Sequence, residues 1–160
     1  MIPSYFPRHP NGIALVGDAP RSETAGAPFT ESFYGSIASM CRNAGFEVKN
    51  AFHGNLLNFY PPDGKWSEAP EQLISSSKQQ LLQDLTLYAP KAIVFFGDRT
   101  AAAFKLDFAL DKTRKKKSLE AERGSPFYWN GVPALITYHP RDIFARFNLN
   151  PLVIADLAKV

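Results

Sequence analysis

The sequence predicts an α/β fold: a three-layer αβα arrangement with a central, mostly parallel four-stranded sheet. Two observations carry that reading. Short unbroken apolar runs, Ile13-Ala14-Leu15-Val16 and Ala92-Ile93-Val94-Phe95-Phe96, each stop at a glycine, as strands buried on both faces do. Stretches with apolar residues at helical spacing alternate with such runs along the chain, which places helices over both faces of the sheet. At 160 residues the chain fits one domain spanning residues 1–160, long enough to bury a sizeable core.

In order, residues 1–11 hold three prolines and no periodicity, and read as an irregular N-terminal arm. The first strand follows and ends at Gly17. Residues 18–31 are rich in Gly, Pro, Ser and Thr and form a loop. Residues 32–44 are expected to be helical, with Phe33, Ile37, Met40 or Cys41, and Ala44 on one face and Gly45 as the stop. A second strand is expected over 46–53, ended by Gly54. A long loop containing Pro61-Pro62-Asp63-Gly64 comes next. Pro70 at the first helical position and Glu71 on the positive end of the dipole open the clearest helix. Its face is Leu73, Ser77, Leu81, Leu85 and Tyr88, and Pro90 closes it. The third strand ends at Gly97, and Asp98 is placed to cap a helix over 99–107. Residues 109–126 are charged and read as an exposed excursion. Asn130-Gly131 is a hairpin signal between Phe127-Tyr128-Trp129 and the fourth strand, whose Pro133 keeps its start near an edge or unpaired. Short helices after Pro140 and from Pro151 complete the chain.

Composition narrows the function classes. The chain is 45% hydrophobic and 21% charged, ordinary for a soluble globular protein. No apolar run reaches membrane-spanning length and the N-terminus lacks a signal-peptide layout, so a cytoplasmic protein without membrane partners is expected. Cys41 is the only cysteine, which excludes an internal disulfide. His9, His53 and His139 lack ligand spacing, and no metal is expected. The net charge of +3 suits a polyanionic partner without requiring one. Placement says more: Arg114-Lys115-Lys116-Lys117 is a dense basic run, with Lys112 and Arg123 nearby. It reads either as a phosphate-contacting patch or as a solvated surface.

In open parallel sheets, ligands bind beyond the carboxyl ends of the strands. That rule gathers Asp18, Asn55, Gly97-Asp98 and His139 at one sheet edge. A carboxylate, an amide and an imidazole stand there together, with the ring of Phe29 on the first loop.

The motifs around these residues resemble those of the uracil-DNA glycosylase superfamily, most nearly the branch that usually carries an iron–sulfur cluster. The matching residues are Gly17-Asp18-Ala19-Pro20-Arg21, Gly26-Ala27-Pro28-Phe29, Asn55 six residues before Pro61-Pro62, and Phe96-Gly97-Asp98-Arg99-Thr100-Ala101. Arg123-Gly124, Thr137-Tyr138-His139-Pro140 and Asp156-Leu157 follow in the same order. The likeness covers roughly residues 12–160. Three departures stand out. The cluster cysteines are missing, with Phe59 and Ser77 at two of their positions, so no cofactor is expected. Asp18 stands where the branch has Glu, and Arg21 where it has Gly.

The resemblance implies a monofunctional DNA glycosylase, a monomer that removes uracil or a related base from single- or double-stranded DNA. The alternative is a catalytically weakened glycosylase fold acting as a DNA-binding or replication-associated subunit. Base excision requires the base to leave the stack and enter a pocket that reads its edge. Phe29 offers a stacking face, or is plain core. Ala19 lies beside it in the base-binding set. The Asn55 amide can donate to O4 and accept from N3–H of a uracil edge, a pattern cytosine inverts; Asn58 is the competing choice. Breaking the N-glycosidic bond leaves negative charge on the base and an oxocarbenium-like sugar. His139 can donate to the base O2, or merely cap the helix behind it. Asp18 can stabilise the sugar and position water, with Glu23 as a lower-ranked second carboxylate. Ile143 is either a wedge into the base stack or helix core. Arg21, Ser22, Arg141, Lys115 and Lys116 are the candidates for DNA phosphates. No lysine lies in residues 17–29 or 138–143, so a Schiff-base lyase step is not expected.

Overall fold

The two unbroken apolar runs become the middle of the sheet. In the computed structural model, which describes residues 1–22, 25–29, 34–104 and 119–160, β1 is Ile13–Gly17 and β3 is Ala92–Phe96. Both are flanked by strands on each side, so both faces and both edges are covered and only apolar residues fit. The strand order is β2-β1-β3-β5-β4, with β2 at Phe52–Asn55, β4 at Phe127–Trp129 and β5 at Val132–Thr137. The first four strands in that order run parallel, and β4 is antiparallel to β5. The expected four-stranded sheet therefore gains a fifth strand, the first arm of the predicted hairpin. Asn130 (φ 47°) and Gly131 (φ 78°) are both left-handed, the conformation a two-residue hairpin turn needs. Pro133 pairs with Tyr128 of β4, while the pairing of β5 with β3 begins only at Ala134.

Helices α1 (Tyr34–Ala44), α2 (Glu71–Tyr88), α3 (Asp98–Phe104), α4 (Leu119–Glu122), α5 (Pro140–Ala145) and α6 (Asn150–Leu157) flank the sheet. Leu15, Phe52, Phe95, Phe96, Ile136, Ile37, Leu85 and Leu157 are fully buried between them. Helix α2 buries Ser77, Leu81 and Leu85 of the expected face, but its first-turn Leu73 is exposed. Pro70 is its N-cap rather than its first helical residue. Ala89, left-handed at φ 53°, ends it by donating to the Leu85 carbonyl. Among the described residues no helix is long and apolar enough to cross a membrane.

Two segments differ from their sequence readings. The second strand occupies Phe52–Asn55 instead of 46–53, and Val48–Asn50 is a 3₁₀ turn. The cause is register: Ala14 pairs with Phe52, so residues before Ala51 have no strand to pair with. Gly54 does not break the strand. A Cβ there would come within 2.6 Å of Leu81 Cδ1, so the glycine admits α2 close to β2. The N-terminal arm is less irregular than its prolines imply. Tyr5 and His53 exchange main-chain hydrogen bonds of 2.8 and 3.1 Å, covering the open edge of β2. Ile2 N–H donates to Asn58 O and Ser4 Oγ to Asp84 Oδ2, fastening the arm to the loop after β2 and to α2.

Candidate active site

The four parallel strands deliver their carboxyl ends to one edge. Asp18 follows β1, Asn55 is the last residue of β2, Gly97 follows β3, and His139 lies two residues beyond β5. Gly97, left-handed at φ 89°, lets the chain turn there. A Cβ on it would stand 3.2 Å from His139 Cβ.

Asp18 is 1% exposed, yet it sits among cations and donors. Its Oδ1 accepts the Ala19 N–H at 2.7 Å and lies 3.2 Å from His139 Nε2. Its Oδ2 is 2.6 Å from an Arg141 guanidinium nitrogen, a close ion pair without the alignment of a hydrogen bond. Burial alone would raise the carboxyl pKa. The His139 contact first, and then Arg141, more than offset it, bringing the group down to about 2. Asp18 is therefore ionised at any physiological pH although it is buried.

His139 is buried and orients itself through its own helix. It is the N-cap of α5, and its Nδ1 accepts the Arg141 N–H at 3.2 Å. An acceptor at Nδ1 places the ring hydrogen on Nε2, the atom aimed at Asp18. The two sequence alternatives for this residue, helix cap and donor at the site, are thus compatible: the cap fixes the tautomer that leaves Nε2–H as the donor.

A cavity of about 320 Å³ opens beside the pair, lined by Asp18, Ala19, Pro20, Arg21, Tyr60, Pro61, Gly64, Trp66, His139 and Arg141. Arg99 holds its guanidinium 4.8 Å from the centre of the Trp66 ring. Burial pulls Arg99 below its ordinary pKa, while Asp18 raises it and Arg141 lowers it, so it belongs to the same electrostatic cluster. Arg21, Arg99 and Arg141 give this edge a positive field. Sequence reading assigned neither Arg99 nor the Tyr60–Trp66 wall to the site. The strand-end position of Arg99 is the signal in the sequence that could have found it.

Phe29 and Asn55 pack together but do not line that cavity. Both are buried, at 4% and 7% exposure, against the Cα of Gly17. A Cβ on Gly17 would lie 2.6 Å from Asn55 Oδ1 and 3.1 Å from the Phe29 ring, so only glycine allows the cluster. Asn55 Nδ2 donates to the Pro28 carbonyl at 3.0 Å, which locks the amide against a flip and leaves its second N–H for another acceptor. Phe29 meets His53 and Phe96 edge-on and belongs to the core.

Other sequence candidates fall differently. Ile143 is 6% exposed within the core, so its helix-core alternative describes its place. Ser22 lies on the bend after Arg21. Arg141 is engaged with Asp18 and not only with solvent. Arg123 donates to the buried Asp156 at 2.8 Å and so stands apart from the basic run it adjoins in sequence. Lys115, Lys116, the rest of that run and Glu23 lie outside the described residues.

An iron–sulfur cluster does not fit this chain. Such clusters are held by several cysteine thiolates. Cys41 is the single cysteine, buried in α1, with its thiol pushed up to about 12 by burial. Ser77 instead accepts the Asn58 N–H at 2.6 Å beside a second cavity of about 260 Å³ under the N-terminal arm.

The family model described as the Uracil DNA glycosylase superfamily matches residues 3–157, nearly the whole chain. The chain belongs to the uracil-DNA glycosylase superfamily. Membership supports a glycosylase-type function and implies DNA binding in general terms, and the sheet order and strand-end site agree with that fold. A search of curated proteins found no match.

Proposed function

We propose that the protein is a monofunctional DNA glycosylase that hydrolyses the N-glycosidic bond of uracil, or of a closely related base, and leaves an abasic site. The observation that carries this reading is the buried, ionised Asp18 held against His139 Nε2 at the mouth of a cationic cavity.

Each group has a distinct task. The flipped nucleotide enters at the strand ends, with its phosphates drawn by Arg21, Ser22 and Arg141. As the bond to the base lengthens, the sugar gains positive charge, and the fixed negative charge of Asp18 stabilises it more than it stabilises the ground state. Asp18 also orients water toward C1′. Charge gathers on the base O2 at the same time, and the Nε2–H of His139 turns from Asp18 Oδ1, where it rests at 3.2 Å, to donate there. Arg141 keeps Asp18 ionised through their ion pair, and its 41% exposure leaves the rest of the guanidinium open to a phosphate. The Pro28 lock supports selection of uracil over cytosine. The amide is held in one orientation, so a base edge that reaches it meets a donor for O4 and an acceptor for N3–H, although Asn55 lies outside the cavity beside Asp18 and His139. Ala19 lines the cavity itself, while Phe29, the expected stacking face, packs in the core behind Gly17 and supports the loop from there.

The test uses single- and double-stranded oligonucleotides containing uracil, hydroxymethyluracil, hypoxanthine or only normal bases, followed by alkali. Cleavage at uracil and not at cytosine is expected. Salt-dependent binding with no abasic site from any of these bases overturns the reading in favour of a DNA-binding subunit.

A further inference from the structure

We infer that Asp156, remote from the cavity, is a positioning residue that sets the place of His139 through Thr137. The inference rests on the glycosylase reading of the site. Asp156 is 1% exposed on α6, and both of its oxygens are used. Oδ1 accepts from Arg123 at 2.8 Å, and Oδ2 accepts the Thr137 hydroxyl at 2.7 Å. Lys159 lies 3.9 Å from Oδ1 and donates to Gly124 O at 2.8 Å. Gly124 in turn donates its N–H to Ile136 O, the residue before Thr137. A Cβ at Gly124, left-handed at φ 69°, would collide with Asp156 Oδ1. The Arg-Gly pair, the threonine before the histidine and the late aspartate are thus one assembly, although they lie far apart in sequence.

That assembly grips one point, the end of β5. Thr137 is completely buried and held from two sides: its hydroxyl goes to Asp156, and its carbonyl accepts the Gly97 N–H at 2.9 Å. His139 follows two residues later, with its Cβ against Gly97. The ring is then fixed by Arg141 N–H and faces Asp18. Stability alone is a poor reason for the arrangement, because a buried ion pair is often no better than an apolar replacement of similar volume. What it provides is a unique place for a strand end whose next residues carry the donor. Displacements of about 1 Å at a reacting group can cost about a hundredfold in rate.

The decisive variant is Thr137→Val, which keeps shape and removes the hydroxyl; Thr137→Ser restores it. Asp156→Asn is the companion where it folds. The expected result for T137V is a single-turnover excision rate lower by about ten- to a hundredfold, with DNA affinity within about twofold of wild type. T137S recovers most of the rate. Nitrogen NMR of the His139 ring gives a readout that a mere staple would leave unmoved: wild type shows the Nε2–H tautomer, and T137V shows tautomer averaging. Ring shifts in T137V identical to wild type overturn the inference, whatever the rate does. If wild type releases no base from DNA, the glycosylase reading falls, and the same ring shifts still decide whether Asp156 positions His139.

Discussion

Asp18→Asn is expected to lower the single-turnover rate of base release by about a hundred- to a thousandfold, the usual scale for removing one preorganised electrostatic group. Asparagine keeps the size of the side chain and an oxygen for the Ala19 N–H, so the loop has no reason to collapse. What it loses is the charge. The carboxylate is held down to about pKa 2 against the cost of its own burial, so in the native chain it faces the sugar fully ionised. The variant should bind DNA at least as tightly as wild type, because a negative charge has been removed from a phosphate-facing edge. Rate and affinity measured on the same uracil-containing duplex separate the two effects. A D18N protein that excises at the wild-type rate removes Asp18 from the chemistry. One that loses binding and rate together makes it a structural residue.

Acid should loosen the fold well before it neutralises Asp18, and His53 is the reason. This residue is 3% exposed, stacks on Tyr5 at 4.9 Å, meets Phe29 edge-on, and donates from Nε2 to the Val48 carbonyl at 2.8 Å. Burial pulls its pKa from 6.5 down to about 4, only partly opposed by the Val48 hydrogen bond. The unfolded chain therefore takes up a proton near pH 6.5 that the folded chain refuses until about pH 4. Stability is complete above 6.5 and falls as the pH drops toward 4, by about 3 kcal/mol. Asp18 has its depressed value on the acid side of that window, so its contribution is present above 3.8 and lost only between 3.8 and about 2. Urea unfolding at pH 7, 5.5 and 4 reads the effect. His53→Gln, which retains a donor without a titration, should flatten the dependence between 6.5 and 4. An equally steep loss in H53Q places the acid-sensitive group elsewhere.

The strand-end rule gathers the candidate residues at one edge from sequence because it depends only on strand order and direction. Asp18, Asn55 and His139 each follow an apolar run, and a parallel sheet leaves them no other edge. Side-chain partners were less legible. The Arg141–Asp18 pair, the stacking of Arg99 on Trp66 and the Pro28 lock on Asn55 each join residues from different elements, and their geometry depends on rotamers that periodicity does not encode. The extent of β2 was less legible because Val48, Ala51 and Phe52 read as one strand, and only the register with β1 shows that the strand begins at Phe52. The arm's prolines concealed the Tyr5–His53 bridge. Arg123-Gly124, Thr137 and Asp156-Leu157 were legible as motifs but without a reason, since their common contact appears only once α6 is folded against the end of β5.

The most direct measurement is to incubate wild-type protein with a uracil-containing oligonucleotide under single turnover and analyse the products before alkali. Free uracil, detected by mass, should appear in equal amount to abasic strand, with the phosphodiester backbone intact and no cytosine or thymine released. Bound DNA with every uracil still in place, or strand scission without alkali, contradicts a monofunctional glycosylase built on Asp18 and His139.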